Sequence, residues 1–188
     1  MKLFRKWEKE KIECDEIDNV STELTQASLE EIILNAGKGI VFLCIGSDRA
    51  IADSVGPLVG TMLKENNLPY PVYGTLDAPV HALNLKKTLV EIQQKLDNHL
   101  LIVLDACIGH KEEVGMVLLK KGPLNPGIAI GNSLPLVGDF HLLAIVNYHD
   151  KNSYENYLKD TRLVTIYDMA KRTSELILKA TSIVKEKQ

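Results

Sequence analysis

Two aspartates carry the chemistry that this sequence offers. Asp53 follows the apolar run Ile40–Ile45 across a short polar loop, Ser47-Asp48-Arg49, and Asp105 directly ends the apolar run Leu100–Leu104. Carboxylates brought close together cannot both ionise cheaply, so one keeps a proton near neutral pH while the other stays charged. The charged member can take a proton from water, and the protonated one can give a proton to a carbonyl oxygen or a leaving amine. Such a pair suits hydrolysis of an amide. It equally suits a divalent cation, which would then activate the water itself. A plainer alternative weighs as much: Asp53 or Ser54 caps the apolar helix that follows, and Asp105 is the wet end of a strand.

Whether the two meet depends on the elements that hold them. Ile40–Ile45 is rich in β-branched and aromatic residues and has the length of one buried strand. Val55–Leu63 after it is spaced as a helix, Val72–Leu76 as a second strand, and Leu100–Asp105 as a third. Asp77 and Pro79 open a predicted helix over Val80–Leu96, with Leu85, Leu89, Ile92 and Leu96 as its buried stripe. Met116–Leu119 and Phe140–Val146 read as further strands, and Leu163–Val184 as a closing helix. Strands alternating with helices predict a three-layer α/β/α domain with a mostly parallel sheet. The simplest order sets the first strand between the second and the third, which makes a crevice at their C-terminal ends. Neighbouring strands lie about 4.8 Å apart, so Asp53 and Asp105 come within reach of one water molecule there. Asp77 ends near the same place, as a helix cap or as a third wall of the crevice.

Residues 1–36 are expected to form an N-terminal arm and a covering helix (Ser21–Ala36), and residues 37–188 a single α/β domain. A chain of 188 residues with 45% hydrophobic content has a core that needs no staples. The net charge of -3 leaves no basic footprint, which argues against nucleic acid as a partner. No apolar run reaches the length of a membrane span and the first residues lack a secretory apolar region, so a cytoplasmic protein away from membranes is expected. Cys44 and Cys107 fall in or beside buried strands, where a small reduced thiol is the expected state. Ser54 has no G-x-S-x-G elbow around it. His141 opens an apolar strand as a core residue that Asp139 would orient, and Asp48 is placed to pair with Arg49. Nothing in the pattern selects an oligomeric state.

Five blocks carry a family resemblance: VFLCIGSDRAIADSVGPLVG, YGTLDAPVHALNL, LIVLDACIG, GMVLLKKGPLNPG and LPLVGDFHLLAIVN. Together, from Val41 to Met169, they resemble the YyaC family of sporulation-associated, protease-like proteins. That family is in turn similar to the spore germination protease and to the hydrogenase maturation proteases, with a phosphorylase/hydrolase-like fold. By that resemblance Asp53 in DSVGP and Asp105 in DAC are the catalytic aspartates of an endopeptidase acting on a protein or peptide, in the forespore or mother cell of a sporulating bacterium. Pro126, Gly127, Gly131 and Asn132 resemble a PGxGxGN block of the germination protease, which implies that Gly131 and Asn132 bind substrate and that Asn132 stabilises an oxyanion. Hydrogenase maturation proteases add a His from a later loop to bind nickel, yet residues 122–138 contain no His. No cofactor is therefore expected, and a divalent metal would need His141 or His81 to enter from elsewhere. The alternative to an enzyme is a non-catalytic module that keeps the peptidase fold and binds a protein or a metal.

Overall fold

The computed structural model describes residues 22–126, 134–148 and 161–187. Its centre is β1 (Gly39–Cys44), buried along nearly all of its length. Ile40, Phe42 and Cys44 enter one apolar cluster, while Val41 and Leu43 enter another on the opposite face. A strand apolar on both sides must be covered on both, which is why the run lacks the alternation of a half-wet strand. The same holds for β3 (His99–Gly109), whose Leu100, Ile102 and Leu104 face the first cluster and Leu101 and Val103 the second.

The sheet order is β2-β1-β3-β5-β4, with β2 (Val72–Tyr73), β4 (Val117–Lys121) and β5 (Phe140–Tyr148) completing it. β2, β1, β3 and β5 run parallel to one another, and β4 is antiparallel to β5. The first strand lies between the second and the third, as expected. Helices α1 (Thr22–Leu34), α2 (Val55–Glu65) and α4 (Leu163–Lys187) cover one face, where α4 packs on both α1 and α2. Helix α3 (Leu85–Lys95) covers the other, together with Leu124, Leu134 and Val137. Phe42, Ile102, Leu104 and Leu142 are shielded from water almost completely. Each contributes about 1.5–3 kcal/mol by burial, so truncating Ile102 to Ala removes about 2–5 kcal/mol.

Three expected boundaries are corrected. β2 is only two residues long, because the chain leaves the sheet at Gly74 (φ 85) and folds back through the Thr75 N–H to the Ala78 carbonyl. α3 begins at Leu85 rather than Val80, because Val80 forms an isolated parallel bridge with Ile45. Asp77 therefore opens no helix and lies exposed in the preceding loop. β3 runs on past Asp105 to Gly109, because β5 offers it partners as far as Tyr148 with a register shift at Cys107/Ile108.

Candidate active site

The site is a step in the sheet. β1 stops at Cys44 opposite Leu104, and the Ile45 N–H makes a last bond to the Leu104 carbonyl at 2.7 Å. β3 continues alone on that side, and its next residue is Asp105, paired only with Leu143 of β5. Asp105 is thus at the C-terminal end of the β1–β3 ladder rather than at the end of its own strand.

Asp53 is brought to the same step by a close approach of backbones. A Cβ on Gly56 would lie 1.9 Å from the Ile45 carbonyl oxygen, so only glycine lets the start of α2 sit on the end of β1. Between them the chain makes a 3-10 turn, Ile51–Ser54, tied by the Ser47 N–H to the Asp53 carbonyl at 3.1 Å. That turn removes the capping explanation. The Ser54 hydroxyl donates back to the Ile51 carbonyl at 2.7 Å, and neither it nor Asp53 caps α2 with its side chain.

The two carboxyls are half-buried and electrostatically joined. Burial pushes Asp53 up to about 6, against the opposing effects of the Ser47 N–H and of His81. Burial also pushes Asp105 up, to about 8, and the nearby Asp53 charge adds to it, while the Ala106 N–H, 2.9 Å from Oδ1, works the other way. Asp105 as a whole keeps some contact with solvent, but protein atoms crowd its carboxyl group, and that crowding sets the direction. The arrangement has the chemical content of an acid and a base side by side: one carboxyl that ionises first and one that holds its proton.

The other sequence candidates fall elsewhere. Asp77 is exposed, and no hydrogen bond or ion pair among the described residues joins it to the aspartates. Gly131 and Asn132, with Gly127, lie outside the described residues. His141 Nδ1 meets the Gly122 carbonyl at 2.9 Å, and burial lowers the ring's proton affinity, so it is a core residue as expected. Asp139 does not orient it: its Oδ2 accepts the Leu101 N–H at 2.8 Å. Asp48 and Arg49 form no pair among the described ion pairs, and the Arg49 N–H bonds the Ser47 hydroxyl instead. Burial pushes the Cys44 thiol up to about 12, which keeps it protonated and unreactive. His81 was the residue that spacing undervalued. It is half-buried on the loop beside the step and close enough to act on the Asp53 charge.

Among the described residues no group of three His, Cys, Asp or Glu side chains is arranged to hold an ion.

Residues 14–176 match the family described as "Protein of unknown function (DUF1256)". The chain belongs to this family. Over 175 residues it is 39% identical to "Uncharacterized protein YyaC" of Bacillus subtilis (strain 168), covering 92% of this chain and 85% of that one. The fold is similar to that of the [NiFe] hydrogenase maturation protease HycI from Thermococcus kodakarensis KOD1, with a TM-score of 0.54 at 20% identity over 82% of this chain and 99% of that one. The YyaC-like chain therefore has a protease-type α/β fold. Among its described residues, no helix is long and apolar enough to cross a membrane.

Proposed function

We propose that this DUF1256 protein is a peptidase that hydrolyses an amide bond with Asp53 as general base and Asp105 as general acid. The observation that carries the reading is the coupling of the two carboxyls at the step where β1 ends and β3 continues. Asp53, the more readily ionised of the two, draws a proton from a water held between them as that water attacks the peptide carbonyl. Asp105 keeps its proton near neutral pH and delivers it to the departing amine. Likeness to a hydrogenase maturation protease fold supports a protein or peptide as substrate. The motif resemblance to the germination protease supports a sporulating bacterium as the setting, and supports Gly131 and Asn132 as substrate-binding residues with Asn132 facing the developing oxyanion.

The test compares the wild-type chain with Asp53→Asn and Asp105→Asn on peptide libraries made from sporulating cells, read by mass spectrometry. Each variant is expected to lose cleavage by roughly 10²–10⁴-fold with its circular dichroism unchanged. Cleavage that survives both substitutions overturns the assignment. Absence of any cleavage by the wild-type chain turns the reading toward a binding module.

A further inference from the structure

We propose that the substrate is an extended peptide segment that binds as an added strand along the edge of β3 left bare where β1 ends. The inference names the form of the substrate and rests on the carboxylate-pair reading above. β1 fills that edge only as far as the pairing of Cys44 with Leu104, whereas β3 runs on to Gly109 with β5 on its other side. The chain that follows β1 turns out of this lane. Its Gly46 N–H donates to the Val80 carbonyl at 2.8 Å and its Ser47 N–H to the Asp53 carbonyl at 3.1 Å. Residues Ala106–Gly109 of β3 keep partial contact with solvent.

The pairings fix where each backbone group points. Successive residues of a strand turn their N–H and C=O groups to alternate neighbours. The Leu104 carbonyl accepts the Ile45 N–H on the β1 side, and the Leu101 carbonyl accepts the Asp139 N–H on the β5 side. Even-numbered residues of β3 thus face β1, and odd-numbered ones face β5. The register shift leaves this alternation intact: Cys107 pairs with Ile145 and Ile108 with Asn147, which puts the extra residue, Val146, in β5. Ala106 and Ile108 therefore turn to the bare edge. Asp105 Oδ1 takes the Ala106 N–H at 2.9 Å. The Ala106 carbonyl and the Ile108 N–H have no partner among the described bonds.

Those two groups are the ones a parallel strand engages with a single residue. Ile45 sets the pattern by giving its N–H to the carbonyl just before Asp105. A peptide residue level with Cys107 repeats it two places on, giving its N–H to the Ala106 carbonyl and taking the Ile108 N–H on its own carbonyl. Ala106–Gly109 offers about 13 Å of edge, room for roughly four extended residues. The edge starts one residue past Asp105, so a peptide lying on it brings its backbone to the step that holds both carboxyls. An unfolded tail or linker can lie this way. A helix cannot, because its own backbone groups are already bonded to one another.

The test is amide hydrogen exchange, read by NMR on the full chain carrying Asp53→Asn so that bound peptide stays whole, with and without the peptide library made from sporulating cells. The Ile108 amide is expected to slow at least about tenfold when peptide is present, while the Cys107 amide, inside the β3–β5 ladder, keeps its rate. A second variant, Ile108→Pro, removes the N–H from the bare edge without taking a bond from the ladder. It is expected to raise KM for a cleaved peptide roughly 3–10-fold, with kcat and circular dichroism little changed. If Ile108→Pro fails to fold, the exchange measurement decides alone. Cleavage by the wild-type chain with the Ile108 amide unmoved by peptide overturns the added strand and leaves the carboxylate pair standing. A slowed Ile108 amide without any cleavage by the wild-type chain keeps the strand site and overturns the peptidase reading. Neither slowing nor cleavage overturns both.

Discussion

Asp105 lies one residue past the Leu104–Cys44 pairing that ends the β1–β3 ladder, and across that step the Asp53 charge strengthens its hold on a proton. The relationship follows from unequal strand lengths. β1 has no partner left to offer beyond Cys44, while β5 carries β3 on to Gly109, so the first residue of β3 without β1 beside it faces the turn that opens α2. A carboxyl in that place loses water on the protein side and gains a like charge on the other, and both effects raise its pKa.

The pair sets a pH window for catalysis. Activity needs Asp53 ionised and Asp105 protonated, so kcat/KM for a cleaved peptide is expected to be bell-shaped, rising near pH 6 and falling near pH 8. These limbs belong to the pair as a unit, since each carboxyl titrates in the field of the other. A profile that stays flat from pH 5 to about pH 9 excludes an acid–base role for both.

The same shift makes Asp105 a cost to folding at neutral pH. Its folded-state pKa of about 8 lies above the ordinary 3.8, so the native state binds more protons than the unfolded chain between those values. The stability this confers is fully present below the unfolded pKa and is lost as pH rises through the folded one. Asp105→Asn is therefore expected to raise Tm at pH 8, by at least about 2–4 °C for a gain near 1 kcal/mol, and to change it little at pH 4. Equal stabilisation at both pH values in a calorimetric scan would show that the burial of this charge is not the cause.

Asp139 separates stability from chemistry. Its Oδ2 accepts the Leu101 N–H at 2.8 Å, and its own N–H donates to the Leu101 carbonyl at 2.8 Å, so it clamps the entry of β5 to β3. Asp139→Ala leaves the Leu101 N–H without an acceptor in a buried position and is expected to cost about 1–3 kcal/mol in urea unfolding. Lys38, 4.0 Å from the same oxygen and partly solvated, adds little, so Lys38→Ala should be nearly silent. Peptide cleavage by the folded Asp139→Ala fraction should match the wild type.

Much of this was legible in the residues, because burial on both faces of β1 and β3 writes itself as continuous apolar runs, and each run ends where the site begins. Asp53 and Asp105 stood out for that reason. The extension of β3 did not, because Ala106–Gly109 is held by β5, a partner distant in sequence. Val80 fits the spacing of the following helix, but the Gly46 N–H needs an acceptor and takes the Val80 carbonyl, which pulls that residue into the sheet's edge. The capping reading of Asp53 failed because a 3-10 turn and an α-helix share the same start signals. His81 left only one trace in the sequence, an Asn three residues on, able to bond back to its N–H.

Gly56 joins the fold to the site most directly. Replacing it with Ala puts a methyl group where the Ile45 carbonyl oxygen stands 1.9 Å away, with the Ile45 carbonyl carbon at 2.8 Å. Backbone atoms cannot rotate aside, so α2 must lift from the end of β1 and carry the 3-10 turn with it. Overpacking of this kind costs about 1–3 kcal/mol, and backbone against backbone belongs at the upper end. The movement also parts Asp53 from Asp105, so the Asp105 midpoint should fall toward the ordinary carboxylate range in the folded variant, and cleavage should fall with it. Urea unfolding and an NMR titration of the carboxyls together check this. A variant that loses stability while Asp105 still titrates as in the wild type would show that the pair does not depend on the seating of α2.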